Sequence, residues 1–377
     1  MLCGSPRAPS PRIGPDEFQE GSVVKTKLFA MALSILISLV LIEASLRLLY
    51  EVPPDWEEPQ TQHLLDSQLG WILPQNDRSF TIDAPVETNA LGLRDDEIPI
   101  AKPPGETRIL ALGDSFTFAL GVRFEDLYVQ RLERKLNGEQ PGRKFQVINA
   151  GVAGYNTTQE LVFLLADGLR YEPDLITIGF YWNDLLGNDK PLPVIDGPIQ
   201  RDLMKESESA DAGHLLPAFI RNQLRRSLVL YLGVTRAKNL VAALGQPENA
   251  LVGIQRDILE GDAAALDRYW PATGARLREI AATAAERGIP VLLVSFPMEN
   301  QVRQPSPSPA YADALRAEWE PTGMPMIELE AAYRTSLEAG SNPYLPYDLH
   351  PGPIGMQIAA DSIEAEIRRQ GWLGLGR

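Results

Sequence analysis

Apolar positions in this 377-residue chain follow two different patterns. Near the amino terminus they are continuous: Leu28 to Ile42 contains no charge, and apolar character resumes after Glu43 and runs to Tyr50. As helix, the uncharged core alone reaches roughly 22 Å, short of a hydrocarbon slab of about 30 Å, but Leu28 to Tyr50 is long enough to cross one. Beyond residue 105 the apolar residues come as short runs separated by amphipathic stretches, the alternation expected of strands and helices in a parallel α/β domain.

Five of these runs predict strands. Ile109 to Leu112 is wholly apolar, as a strand buried on both faces must be, and stops at Gly113-Asp114-Ser115. Phe145–Ile148, Asp174–Phe180, Pro290–Phe296 and Pro325–Leu329 follow. Helices are expected at Glu125–Leu136, where Leu127, Val129, Leu132 and Leu136 share a face, and at Thr158–Gly168, Ala263–Arg287, Tyr311–Trp319, Glu330–Ala339 and Ile354–Gln370. Residues 188 to 262 break the alternation, with a proline-rich loop at Pro191–Pro198 and a basic-flecked helical stretch from Leu215 to Leu244. This insertion either shapes a lid or is a peripheral helical pair. The segment before the first strand, with Leu69-Gly70-Trp71 and Pro74, is a turn-rich approach carrying an aromatic to bury.

The expected organisation is therefore a disordered cytoplasmic tail at 1–27, a membrane anchor at 28–50, a stiff Pro- and Glu-rich spacer at 51–62 and a folded domain at 63–377. A cleaved signal peptide needs small residues at its cleavage site, which Ile42-Glu43-Ala44 does not supply, and a core helix needs packing partners that an isolated terminal helix lacks. Lys25 and Lys27 precede the apolar stretch, whereas Glu51, Asp55, Glu57 and Glu58 follow it. The positive-inside rule then leaves the amino terminus in the cytoplasm and the bulk of the chain outside. Glu43 and Arg47 lie four apart and can pair on one helix face.

Composition narrows the chemistry. Fifty acidic against 35 basic side chains give a net charge of −15, which repels nucleic acid and other polyanions. Cys3 is the only cysteine, so neither an intrachain disulfide nor a Cys-rich metal site can form, and the expected chemistry needs no metal or organic cofactor. His63, His214 and His350 are the only histidines.

In an open parallel sheet, ligands bind outside the carboxyl ends of the strands. The first three strands end in loops presenting Ser115, Gly154 (within GVAGYNT) and Asn183 (within YWND). If the strands are neighbours, the backbone N–H groups of Ser115 and Gly154 and the Asn183 amide supply three donors around one carbonyl oxygen, and Ser115 is a nucleophile candidate. His63 precedes the fold and His214 lies in the insertion, so His350 is the base by elimination. Asp348 is close enough to orient its ring. Alone, each motif has a plainer role: Asp114 or Ser115 can cap a helix, Asn183 can do the same, and Asp348 can make a turn. Arg94, the one cation in an acidic stretch, is expected at the surface, paired with Asp95 or Glu97.

Taken together, Gly113-Asp114-Ser115, Gly154, Asn183 and His350 within DLHPGPIG resemble the SGNH (GDSL-like) hydrolase family over about residues 105 to 370. The resemblance implies a three-layer α/β/α sandwich with a flavodoxin-like parallel sheet of about five strands, with Ser115 as nucleophile, Gly154 and Asn183 completing the oxyanion hole and His350 as base. The family usually places its aspartate three residues before the histidine, where this chain has Tyr347. Asp348 is the substitute, or a Ser-His dyad operates with a backbone carbonyl steadying the ring. One helix ahead of the domain, together with NALGLRDDE, is similar to membrane-anchored bacterial members.

The expected activity is hydrolysis of carboxylic esters, small acyl or acetyl, by a single-pass membrane protein whose substrate is a small molecule or a glycan ester. Transfer of the acyl group to a cell-envelope polysaccharide, and a non-catalytic envelope binding protein on the same fold, are the alternatives.

Overall fold

The structure is a computed structural model, and it describes residues 15–49, 57, 59–140, 142–188, 227–230, 232–233, 250–346 and 348–376. Two compact units partition the chain: Met1–Val52 with Gln223–Leu240, and Pro53–Asn222 with Val241–Arg377. Part of the expected insertion thus groups with the amino-terminal helix. The proline-rich loop at 191–198, His214 and the lid-or-peripheral question for that stretch lie outside the described residues.

In the first unit, helix α1 spans Pro15–Leu49. It starts well before the expected anchor, so residues 15 to 27 are helical and not a disordered tail. Proline at the first helical position needs no N–H partner. Within α1, Thr26–Leu49 is long and apolar enough to cross a membrane, and none of its most apolar window is buried against protein.

The second unit opens with two antiparallel hairpins, β1 (Leu64–Asp66) with β2 (Gly70–Ile72) and β3 (Arg78–Thr81) with β4 (Ala84–Glu87). Asp66 closes the first by accepting the N–H groups of Gln68 and Leu69 at 2.8 Å each. Strands this short carry too few alternations to stand out in the sequence.

The central sheet follows. Its elements are β5 (Glu106–Gly113), α2 (Ser115–Phe118), α3 (Tyr128–Glu139), β6 (Lys144–Gly151), α4 (Thr157–Ala166), β7 (Leu175–Phe180), α5 (Ala250–Glu260), α6 (Ala263–Ala285), β8 (Val291–Ser295), α7 (Glu299–Arg303), α8 (Ala310–Trp319), β9 (Met326–Glu328), α9 (Glu330–Glu338) and α10 (Pro353–Gln370). The five strands are all parallel, in the order β6-β5-β7-β8-β9, and helices flank them: α3 packs on α10, and α4 on α6. This is the expected flavodoxin-like α/β/α arrangement. Ile109, Leu110, Ala111 and Leu112 are buried to 1% exposure or less, as a central strand covered on both faces requires. Helix α5, placed in the insertion by sequence, packs on α6 and α8 in the helical layer. Strand β6 also runs on through Asn149-Ala150-Gly151: the backbone N–H of the fully buried Asn149 donates to Asp95 Oδ2 at 2.8 Å, and its Oδ1 accepts from Gly151 N–H at 3.0 Å.

Register puts Gly151, Gly113 and Gly179 side by side at the carboxyl edge of β6, β5 and β7. Helix α2 rests on this row. A Cβ on Gly113 or Gly179 would meet Thr117 Oγ1 at 2.1 or 2.4 Å, and one on Gly151 would meet Phe118 N at 2.3 Å. Only bare backbone lets the turn carrying Ser115 lie this close to the sheet. Gly151→Ala meets main chain that cannot swing aside, so we expect it to lower stability by ~1–3 kcal/mol, read as a reduced urea midpoint at unchanged slope.

Candidate active site

Order 2-1-3-4-5 reverses direction at β5, and the crevice between β5 and β7 is where such folds bind ligands. Ser115 leaves the end of β5 as the first residue of α2, and Asn183 sits in a 3-10 turn, Trp182–Leu185, just beyond β7. The two loops are tied by Asp114. Its Oδ1 caps α2 by accepting Phe116 N–H at 2.8 Å, while its Oδ2 accepts Asn183 Nδ2 at 3.0 Å and lies 3.3 Å from Ser115 Oγ. The capping role expected of Asp114 is therefore present, together with a second role that local sequence could not show. With one amide hydrogen held by Asp114, Asn183 has the other to offer to substrate.

His350 approaches from the loop before α10. Its Nε2 is 2.8 Å from Ser115 Oγ, bridging 235 positions of sequence. Its Nδ1 is hydrogen-bonded to Asp348 Oδ1, which also accepts the His350 backbone N–H at 2.9 Å. The ring is backed by Phe116, 4.9 Å between centroids, and Phe116 stacks on Tyr181 at 3.8 Å. The loop is pinned at its base: Leu345 N–H donates to His350 O, Gly352 N–H to Pro343 O, and the Tyr344 hydroxyl to Pro297 O. Burial pushes the Asp348 carboxyl up, but hydrogen bonds and charge from the His350 imidazole, with backbone N–H groups of His350 and Leu349, outweigh it and leave the pKa below the ordinary value.

Gly154 follows β6 in the left-handed region, φ +81°, which a side chain would strain. Asn156 caps α4 and sends its Nδ2 to Leu186 O at 3.0 Å, joining this loop to the Asn183 turn. Trp71 of the first hairpin braces it from outside, donating Nε1–H to Ala153 O at 3.1 Å and accepting the Tyr155 hydroxyl on its own carbonyl at 2.7 Å. The sequence marked Trp71 only as an aromatic to bury.

Arg94 departs from expectation. It is fully buried, and its hydrogen bonds go to backbone carbonyls instead of to Asp95 or Glu97. Its guanidinium donates to the carbonyls of Phe118 (2.7 Å), Ala119 (2.8 Å), Val122 (2.6 Å) and Pro85 (3.2 Å), gathering the chain that leaves α2. Asp95 instead accepts from Gln130 and Asn149, and Glu97 from Ala90 N–H. Unmade carbonyl bonds in a buried turn cost more than an exposed ion pair returns, which decides where the cation goes.

A model of the GDSL-like lipase/acylhydrolase family matches residues 111–358. The chain belongs to that family. It is accordingly an ester-hydrolysing enzyme, and the SGNH (GDSL-like) resemblance read from sequence holds. No curated protein matches the chain. Among solved structures, this GDSL-like hydrolase is similar to an acetyl xylan esterase, AlAXEase (15% identity, 69% of this chain and 99% of that one, TM-score 0.41). It is also similar to Axe2, an acetylxylan esterase from Geobacillus stearothermophilus (16%, 72% and 96%, 0.41), and to a two-domain esterase, CEX, active on acetylated mannans (15%, 70% and 49%, 0.40).

Beneath the crevice of the GDSL-like hydrolase lie three fully buried acids, Asp114, Glu160 and Asp184. Asp184 Oδ2 holds the Asn183 turn by accepting Tyr181 N–H at 2.7 Å, whereas both Glu160 oxygens are without partners among the described residues. Burial first, and mutual repulsion second, raise the Glu160 and Asp184 pKa values well above the ordinary range. The folded protein therefore keeps protons that the unfolded chain releases near pH 4, and stability falls as pH rises from there toward the folded-state values. The slope is at most ~1.4 kcal/mol per pH unit for each such group. Glu160→Gln removes one of these protons from the balance, and we expect a shallower decline in melting temperature between about pH 5 and 8, with the variant the more stable at the alkaline end. An unchanged slope assigns the proton elsewhere. Among the described residues no group of three or more His, Cys, Asp or Glu side chains could hold a metal ion.

Proposed function

We propose that this enzyme hydrolyses short-chain carboxylic esters through Ser115, His350 and Asp348. The observation that carries the proposal is the 2.8 Å contact between Ser115 Oγ and His350 Nε2. In this mechanism Oγ attacks the ester carbonyl as Nε2 takes its proton, and Asp348 holds the resulting imidazolium through Nδ1–H. The tetrahedral oxyanion is met by the N–H groups of Ser115 and Gly154 and by Asn183 Nδ2. His350 then returns the proton to the departing alcohol. Water, deprotonated by the same imidazole, releases the acid and restores the serine. The short acyl group is supported by the surroundings of the nucleophile: Gly154, Asn183 and Asp348 are small or polar, while the Phe116 and Tyr181 rings are 1% and 6% exposed and give little apolar surface to a long chain.

Thr26–Leu49 is, on this proposal, an uncleaved membrane span with the amino terminus in the cytoplasm, the hydrolase domain on the opposite side, and the ester substrate drawn from that side. Glu57 N–H donates to Ile82 O and Thr61 N–H to Phe80 O, so the hydrolase domain begins earlier than residue 63, and the spacer of this proposal is 51–56.

Purified full-length enzyme is tested on nitrophenyl esters of increasing acyl length and on acetylated sugars, with acid release measured in the presence and absence of a free sugar acceptor. Acid release independent of acceptor supports hydrolysis. Acyl appearing only on the sugar replaces hydrolysis with transfer, and no turnover on any ester removes the proposal. Asn183→Ala should lower kcat by ~10²–10³-fold with little change in KM, because its amide is used most when the carbonyl oxygen becomes charged.

A further inference from the structure

Glu43 lies six residues before the end of the apolar stretch Thr26–Leu49, roughly 9 Å of helix inside it. A carboxylate at that depth is costly unless its oxygens are supplied with donors. They are supplied here, twice each. Oε1 accepts Arg47 Nε at 2.8 Å and Leu228 N–H at 3.0 Å; Oε2 accepts Ser227 Oγ at 2.9 Å and Val229 N–H at 3.0 Å. Three of the four donors come from a segment 184 to 186 positions away in the chain, within the same compact unit.

The need is mutual. Residues 227 to 234, Ser-Leu-Val-Leu-Tyr-Leu-Gly-Val, carry no charge, and Arg225, Arg226 and Arg236 stand on either side in the sequence. Backbone N–H groups at the start of such a stretch require an acceptor if it enters lipid, and Glu43 answers those of Leu228 and Val229. Leu228 is 1% exposed and Leu230 44% exposed, so one apolar side chain is covered by protein while its neighbour faces outward. On a water-exposed surface these bonds would be worth little, whereas in the membrane interface neither partner has water to fall back on.

We propose that the stretch beginning at Ser227 is a second membrane attachment of this chain, docked on the anchor helix through Glu43 and facing a phospholipid surface. It rests on the anchor reading above. Its consequence follows from chain order: the hydrolase unit is joined to the membrane-bound unit after Val52, and again on both sides of residues 223–240. Severing the spacer therefore leaves the hydrolase attached.

The test uses full-length protein with a site-specific protease sequence inserted between residues 52 and 56, reconstituted in vesicles of phosphatidylcholine and phosphatidylglycerol and separated by flotation. Before cleavage the chain floats. After cleavage the carboxyl-terminal fragment still floats, and Glu43→Ala lowers the floating fraction of the cleaved fragment about tenfold while the uncut variant floats as before. Ser227→Ala, which keeps the anchor helix unaltered, lowers it in the same direction. A fragment that leaves the vesicles with Glu43 intact overturns the second attachment alone, and one that floats equally with Glu43→Ala overturns the docking. Failure of the uncut chain to float overturns the anchor as well.

Discussion

Ser115→Ala lowers kcat/KM for any ester the enzyme accepts by ~10⁴–10⁶-fold and abolishes labelling by a serine-directed fluorophosphonate probe. The reason is local. Ser115 Oγ is the group within 2.8 Å of the His350 imidazole, and the methyl that replaces it cannot attack a carbonyl. The fold should not notice. Asp114, not Ser115, caps α2, and the glycine row supports the turn through Thr117 and Phe118. A stability change of less than ~1 kcal/mol is therefore expected alongside the collapse in rate. Equal labelling of wild type and variant would assign the nucleophile elsewhere and end the Ser115 mechanism.

What the sequence disclosed follows from how far each signal reaches. Buried strands announce themselves in a few consecutive residues, so β7 and β8 are legible to within one residue at each end, whereas β5 begins at Glu106, three residues before its apolar run, because Glu106, Thr107 and Arg108 carry no apolar signal. The parallel pattern then brings Ser115, Gly154 and Asn183 to one sheet edge without any knowledge of side-chain contacts. Long-range polar satisfaction is different. Arg94 reads as a surface cation because its partners are carbonyls 9 to 28 positions away, and carbonyls leave no mark in a sequence. The same holds for the Asp114 bridge to Asn183, 69 positions apart, and for the anchor carboxylate, whose donors begin at Ser227. Gly113, Gly151 and Gly179 were visible one at a time, but their alignment under α2 depends on register across three strands, which no local window contains.

Asp348→Asn separates a triad from a dyad, and we expect kcat to fall by ~10²–10⁴-fold with KM nearly unchanged. Asp348 sits one position later than the family's usual aspartate, yet its Oδ1 receives both Nδ1 and the backbone N–H of His350. A carboxylate so placed fixes the tautomer in which Nε2 is free to take the serine proton, and it offsets the charge the ring gains as the ester is attacked. Asparagine keeps the size but can present an N–H toward Nδ1, favouring the opposite tautomer, and has no charge to give. The acid side follows from the sign of the shift. With its folded-state pKa held below the unfolded value of 3.8, Asp348 contributes stability that is complete above that value and lost as pH falls through the folded-state pKa. Asp348→Asn should therefore unfold at a less acid-sensitive melting temperature than wild type, a readout independent of turnover. Loss of less than ~tenfold in kcat, with the acid-sensitivity change present, would mean that the carboxylate orients the loop while the Ser115–His350 pair performs the chemistry alone.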